Sequence, residues 1–165
     1  MKKLFIILAL LLLFCGCKDQ TKYETISDQS DFSPNAPAEV IFSLPEGASI
    51  HTMNDEDGNS LYICDGYYVE TYTFPAGDVE KTIQNVTGFD KDDIVVMERQ
   101  HDGIKRFECS WVSVGEGDLQ VCRAAVLDDG NYHYVLAAAA DQSSATELDD
   151  QWQKIFASYA LKDAA

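Results

Sequence analysis

Short runs of β-forming residues, each ended by turn residues, constrain the fold of this chain more than any other feature. Four such runs follow one another, at residues 93–99, 104–114, 119–127 and 132–140. The segments between them are short and rich in glycine, aspartate and asparagine, as in His101-Asp102-Gly103. Because separators of this kind suit tight turns between neighbouring strands, the pattern predicts an antiparallel meander.

The preceding part of the chain adds further strands and one short helix. Strand-like runs lie at residues 39–44, 49–53, 61–64 and 67–74. Asp65-Gly66, between the last two runs, is a strong hairpin signal. Asp78 is expected to cap a helix whose apolar positions are Val79, Ile83 and Val86, and Gly88 is expected to end it.

A second helix is predicted near the end of the sequence. Ser144 and Glu147 have the spacing of a capping box. One face of the helix would then carry Leu148, Trp152, Ile155, Phe156 and Tyr159. The small side chains of residues 137–140 would let this face lie close to the last strand. The predicted fold class is therefore α+β: an antiparallel meander, a short helix after the first strands, and a C-terminal amphipathic helix packed on the sheet.

This order of elements resembles the C-terminal half of PsbP-like proteins. Two segments carry the resemblance, Gly130-Asn131-Tyr132-His133-Tyr134-Val135-Leu136 and residues 152–161, which include Ile155-Phe156-Ala157-Ser158-Tyr159. The resemblance implies a sandwich of sheet and helices. It also implies a non-enzymatic docking module, because members of that family bind partner proteins of photosystems, nuclear import or cell envelopes. It assigns no binding residue to this chain.

The first seventeen residues have the features of an export signal. Lys2 and Lys3 precede an apolar run at residues 4–14, and Cys15-Gly16-Cys17 follows it. About 20 apolar residues are needed to cross a bilayer, so this run is too short for a membrane span. A positive start, a short apolar stretch and a small residue before the cut predict a cleaved signal peptide.

Gly16 and Cys17 resemble the lipobox of bacterial lipoproteins, although Phe14 and Cys15 depart from its commonest form. The resemblance implies cleavage between Gly16 and Cys17 and acylation of Cys17, which would anchor the protein on the extracytoplasmic face of a cell membrane. The alternative is an ordinary secreted protein cut nearby.

The remaining chain divides by composition into a linker and a domain. Residues 1–16 would be the signal peptide, residues 17–38 a polar flexible linker that starts at the lipidated cysteine, and residues 39–165 a single domain. The linker is predicted because this segment is polar, contains prolines and lacks helical or strand periodicity.

The formal net charge of −16 disfavours two classes of partner. An acidic protein repels both the phosphate backbone of nucleic acids and anionic lipid headgroups. We therefore expect no nucleic-acid partner, and contact with the membrane through the lipid anchor. The ordinary explanation of the charge is the solubility of an exported protein.

Three cysteines follow the predicted anchor, Cys64, Cys109 and Cys122. A turn at residues 114–117 would place Cys109 directly opposite Cys122. A turn at residues 115–118 would place the two on a diagonal, about 7 to 8 Å apart, at or beyond disulfide reach. The third alternative is that all three cysteines are small buried apolar groups.

The sequence shows no metal or phosphate signature. His51, His101 and His133 are scattered, and none has a histidine or cysteine at metal-ligand spacing. The acidic segment at residues 54–58 resembles a calcium loop only superficially, because Met53 and Cys64 stand where a carboxylate and a glutamate belong. We predict neither a cofactor nor a metal site.

Catalytic groupings are also not apparent in the sequence. Cys64 is next to Asp65, whose negative charge would disfavour the thiolate. Glu70, Glu98 and Glu108 lie in strands, where a pair on one face would suit acid and base work, but strand glutamates usually face water. We therefore predict no catalytic residue and no enzymatic activity.

The tyrosines of the strands are the remaining candidates for function. They are Tyr62, Tyr67, Tyr68, Tyr72, Tyr132 and Tyr134. Tyrosine favours strands, and it is also typical of protein contacts. The leading hypothesis is thus a membrane-anchored, non-catalytic module that binds an envelope protein. The alternatives are a small-ligand or ion-binding lipoprotein and a cysteine-dependent hydrolase or redox protein.

Overall fold

The computed structural model describes residues 36–54, 59–114 and 118–162. In these residues seven strands form one antiparallel sheet. They are β2 (Ser49–Asn54), β3 (Asn59–Cys64), β4 (Tyr67–Pro75), β5 (Val96–His101), β6 (Ile104–Val114), β7 (Leu119–Asp128) and β8 (Tyr132–Asp141). The order across the sheet is β2-β3-β4-β8-β7-β6-β5. Every neighbouring pair is antiparallel.

The sheet consists of two meanders joined in the middle. β2, β3 and β4 form the first, and β5 to β8 form the second. They meet where β4 pairs with β8 over nine residues, with Glu70 opposite Ala137. The predicted α+β class and the antiparallel meander are confirmed. One boundary was wrong, because Lys91–Asp93 forms a 3-10 turn and the strand begins at Val96.

A second, two-stranded sheet joins the two ends of the described domain. β1 (Val40–Ile41) pairs with β9 (Ala160–Leu161), with Val40 opposite Leu161. The backbone N–H of Lys162 donates to the carbonyl of Glu39 at 2.9 Å. The strand predicted at residues 39–44 is thus correct in place but only two residues long, and its partner β9 begins just after the end of the C-terminal helix.

The first helix, α1 (Val79–Thr87), has the predicted caps. The carboxylate of Asp78 accepts the N–H of Glu80 at 3.0 Å. Gly88 adopts φ of 78°, and its N–H donates to the carbonyl of Gln84 at 2.7 Å. A positive φ of this size strains any residue with a Cβ, so glycine suits the position. Through the buried Ile83, the helix packs on one face of β6, β7 and β8.

The second helix, α2 (Ala145–Ser158), covers the other face of the sheet. Its buried side chains are Leu148, Trp152, Ile155 and Phe156, and Tyr159 follows the helix end. They share a core with Ala138 and Ala140 of β8, as the small residues of this strand predicted. The capping box was wrong: Ser144 itself has helical dihedral angles, and its side chain makes no capping hydrogen bond.

The predicted signal peptide at residues 1–16, the lipidation site at Cys17 and the linker up to residue 35 lie outside the described residues. Within the described ranges, no helix has both the length and the hydropathy needed to cross a membrane.

Candidate binding cleft

A cleft of about 400 Å³ lies on the face of the sheet that carries α1. The helix packs over only one end of this face, because its apolar residues meet Phe107, Val126 and Val135. Next to them the sheet carries small residues, Ala137 and Ala139 of β8 and Cys122 of β7, which form the floor of the cleft. The cleft is therefore the part of the sheet that the helix is too short to cover.

Larger side chains from distant strands form the walls. Trp111 of β6 is opposite Cys122, which is opposite Ala139, which in turn is opposite Tyr68 of β4. The four residues form one row across the sheet. The row spans three strand spacings, so the Cα atoms of Trp111 and Tyr68 are about 14 Å apart. The C-terminal end of α1, at Thr87 and Gly88, lines one end of the cleft.

Glu70 places a carboxylate on the wall beside Tyr68 and Tyr72. Alternation along β4 turns these three side chains to the same face. The hydroxyl of Tyr72 donates a hydrogen bond to Oε2 of Glu70. The Tyr72 ring also stacks on Phe74, with ring centres 6.0 Å apart and planes 13° apart. Glu70 and Phe74 thus hold the Tyr72 side chain in one orientation.

Both tyrosine hydroxyls stay protonated at neutral pH. Burial raises the pKa of Tyr72, and the hydrogen bond to Glu70 and its negative charge raise it further. Burial, followed by the charge of Glu70, also raises the pKa of Tyr68. The hydroxyl of Tyr68 lies 3.4 Å from Oε1 of Gln120, which can accept its hydrogen bond. Among the described residues that line the cleft, Glu70 is the one with a charged side chain.

The three cysteines are buried free thiols. Cys109 is opposite Ala124 and Cys122 is opposite Trp111, so the two cysteines stand on a diagonal. This is the second of the two predicted registers, because Val114 pairs with Leu119. Burial raises the pKa of Cys109 to about 11 and also raises the pKa of Cys64 and Cys122. A neutral thiol is a poor nucleophile, so this environment does not favour cysteine chemistry.

The structure keeps the three histidines apart. His51 and His101 are exposed, and His101 lies 3.2 Å from the carboxylate of Asp102. His133 is buried on the α1 side, where its Nδ1 lies 2.8 Å from the hydroxyl of Thr82. Among the described residues, no group of three or more histidine, cysteine or acidic side chains could hold a metal ion. Most of the acidic segment at residues 54–58 lies outside the described ranges.

The strand glutamates do not form a pair either. Glu98 is exposed on β5, whereas Glu108 is buried on the α2 side of the sheet, opposite to the face of Glu70. Glu108 lies between two arginines, 2.7 Å from Nε of Arg106 and 2.9 Å from a terminal nitrogen of Arg123. We call these three residues the arginine–glutamate triad.

The triad holds the end of α2 on the sheet. The terminal nitrogens of Arg106 donate to the carbonyls of Phe156, at 2.6 Å, and Tyr159, at 2.8 Å. The guanidinium of Arg123 lies 4.6 Å from the ring centre of Phe156. Burial alone would raise the pKa of Glu108, but the hydrogen bonds and charges of the two arginines outweigh it and lower the pKa. No local sequence pattern indicates this structural role, because the partners lie far apart in the chain.

The tyrosines of the strands divide between the two faces. Tyr68 and Tyr72 line the cleft, whereas Tyr67 and Tyr134 are buried in the core under α2, and Tyr62 and Tyr132 pack against that core. The cleft also depends on Trp111, a residue that belongs to no sequence motif. Its alternation with Cys109 in β6 was the available signal, since it places both side chains on one face.

Comparisons with solved structures support the fold. The domain is similar to a protein of Bacteroides thetaiotaomicron VPI-5482, with a TM-score of 0.50 and 12% identity, over 74% of this chain and 45% of that one. The chain therefore spans less than half the length of that protein. At this identity the likeness concerns the fold alone.

Two further structures are similar at TM-scores below 0.5. One is the cyanobacterial PsbP protein, CyanoP, of Synechocystis sp. PCC 6803, with a TM-score of 0.44, 8% identity and coverage of 76% of this chain and 94% of that one. The other is LpqN of Mycobacterium tuberculosis, involved in cell envelope biogenesis, with a TM-score of 0.42, 10% identity and coverage of 76% and 85%. No family model and no curated protein matches the chain.

Proposed function

We propose that this protein is a lipid-anchored lipoprotein on the extracytoplasmic face of a bacterial membrane and acts there as a non-catalytic binding module for an envelope protein. The single observation that carries the binding role is the cleft, with its alanine floor, aromatic walls and one carboxylate. The polar side chains of Asn85, Thr87 and Ser113 also line it, so an occupant would find hydrogen-bond partners as well as apolar contact, as recognition sites usually offer.

The anchor is supported by the sequence of residues 1–17, where a short apolar run leads to Gly16 and Cys17. The acyl chains on Cys17 would hold the protein at the bilayer, and the polar linker would connect them to the acidic domain. Mass spectrometry of the membrane-extracted protein should find an acylated N-terminal Cys17. The variant Cys17→Ser should remain unprocessed, and an unacylated mature protein would contradict the anchor.

Crosslinking in intact envelopes tests the binding role. The full-length protein should capture a reproducible envelope protein, and the variant Ala137→Phe, which places a ring in the cleft, should lose it. Ala157→Phe adds the same ring to the exposed surface of α2 on the other side of the sheet, and should leave capture unchanged. Equal capture by all three proteins would place the contact elsewhere, and no capture by any of them would reject the role.

A small-ligand function is the second candidate, because a volume of about 400 Å³ also lies in the range of small-molecule sites. A ligand at 100 times its dissociation constant would stabilise the domain by about 2.7 kcal/mol. A screen of melting temperatures would detect it, and Ala137→Phe should abolish any such shift.

A further inference from the structure

The carboxylate of Glu70 can accept more hydrogen bonds than the one that Tyr72 donates. Its neighbours across the sheet are Leu61 and Ala137, neither of which donates a side-chain hydrogen bond. Tyr72 gives it one hydrogen bond. Glu70 is half-buried, and an ionised carboxylate has about four acceptor positions, so most of them remain open to an incoming donor. The site therefore favours an occupant that carries positive charge.

The aromatic walls favour the same occupant. The faces of tryptophan and tyrosine rings attract cations, tryptophan most strongly. Trp111 and Tyr68 are the two ends of the row of four residues, and both side chains are partly exposed to the open cleft. Between them, Ala137 and Ala139 leave room over an apolar floor. A charged group at the end of an apolar stem fits this combination better than a bare metal ion.

Exposed apolar side chains around the cleft indicate that the stem belongs to a polypeptide. Ile63 of β3 is directly opposite Tyr68 on the same face and is 45% exposed. Phe89 follows the C-cap of α1 and is 38% exposed. An isolated small amine in the cleft would leave both uncovered, whereas a chain segment crossing the rim could cover them. The net charge of −16 would also attract a basic segment.

We infer that the cleft binds a lysine or arginine side chain of the partner polypeptide, with the cationic group against Glu70 and the aliphatic stem over the alanine floor. This inference rests on the binding function proposed above, and it specifies the chemistry that the site recognises.

Short peptides test the inference without the native partner. The probe is a blocked alanine pentapeptide with lysine at the centre, and the matched control peptide has norleucine there. Binding to the full-length protein in detergent is followed by calorimetry and by tryptophan fluorescence, to which Trp111 and the buried Trp152 both contribute. The lysine peptide should bind at least about tenfold more tightly than the norleucine peptide, as a charge-assisted hydrogen bond predicts.

Variants identify the carboxylate responsible. Glu70→Gln keeps the size of the side chain and should reduce the affinity for the lysine peptide about tenfold or more. Glu98→Gln removes the same charge from an exposed position of β5 and should change the affinity by less than about twofold. Circular dichroism of each variant shows whether the fold is kept.

Three results would overturn the inference: equal binding of the lysine and norleucine peptides, an unchanged affinity in Glu70→Gln, or no binding of either peptide. Butylammonium that binds as tightly as the lysine peptide would also overturn the polypeptide source and support a small-ligand function. The crosslinking experiment is read separately. If the Ala137→Phe variant no longer captures the envelope protein but the Glu70→Gln variant still does, the cleft binds the partner without using the carboxylate. The proposed binding function would then stand, and the inferred contact with a lysine or arginine would be rejected.

Discussion

Glu108→Gln should weaken the domain far more than the loss of one exposed charge would. The substitution keeps the shape of the side chain and one acceptor oxygen but removes the negative charge between Arg106 and Arg123. Both guanidinium groups would then lie close together without a counter-charge. One of them also holds the last carbonyls of α2, so the helix end would lose support.

The magnitude follows from burial. Breaking a fully buried ion pair costs about 3 to 5 kcal/mol. The side chain of Glu108 is 10% exposed, whereas those of Arg106 and Arg123 are 20% and 24% exposed. Water therefore partly screens the charges of the two arginines. We therefore expect a loss of about 2 kcal/mol in the free energy of unfolding. For a domain of this size this corresponds to about 8 °C in melting temperature.

Urea unfolding at several pH values is the assay. The pKa of Glu108 is lowered below its usual 4.5 in the folded protein. The carboxylate therefore contributes fully to the free energy of unfolding above pH 4.5, and this contribution is lost as the pH falls through the folded-state pKa. The gap between the native protein and Glu108→Gln should be constant above about pH 6 and should narrow below about pH 4.5. Glu98→Gln should cost less than about 0.5 kcal/mol. A similarly small loss for Glu108→Gln, or a gap that does not narrow in acid, would refute the reasoning.

Three further predictions concern caps and thiols. Asp78→Ala should cost about 1 kcal/mol in urea unfolding, because Asp78 caps α1, whereas Ser144→Ala should cost almost nothing, because Ser144 makes no cap bond; equal losses would contradict this. Gly88→Ala should lower the free energy of unfolding by about 1 kcal/mol, because φ is positive at Gly88. Gly77→Ala should not lower it, because φ is ordinary there and the space is open. Equal stability of the two variants would contradict the role of Gly88 as the cap of α1. The Cys109 thiol, with a pKa of about 11, should react with iodoacetamide at pH 7.5 only after unfolding, as followed by mass spectrometry; labelling of the native protein at the unfolded rate would contradict its burial.

Local signals in the sequence were enough to find most elements. The Asp65-Gly66 turn joins β3 and β4, Asp78 and Gly88 bound α1, and the apolar spacing of α2 gives its buried face. Each of these depends on residues a few positions apart. The capping box failed because the spacing of Ser144 and Glu147 permits the motif, whereas the backbone of Ser144 has already entered the helical region.

The cleft could not be predicted, because it depends on pairing between distant parts of the chain. Tyr68 and Trp111 become its two sides only when β4 pairs with β8, a choice that no local pattern specifies. The arginine–glutamate triad has the same origin, because Arg123 reaches Glu108 across a strand pair and Arg106 reaches carbonyls fifty residues later. The pairing of β1 with β9 depends on only two residues in each strand.

The pairing of β1 with β9 has a consequence for engineering. Because the strands are antiparallel, the chain enters the domain at Glu39 beside the point where it leaves at Lys162, and the two residues also form an ion pair of 2.6 Å. A linker of a few residues would join these ends, so the domain is suited to circular permutation, with new termini opened at the exposed turn of Asp65 and Gly66. It is equally suited to insertion into a loop of a host protein, where both junctions would meet at one place.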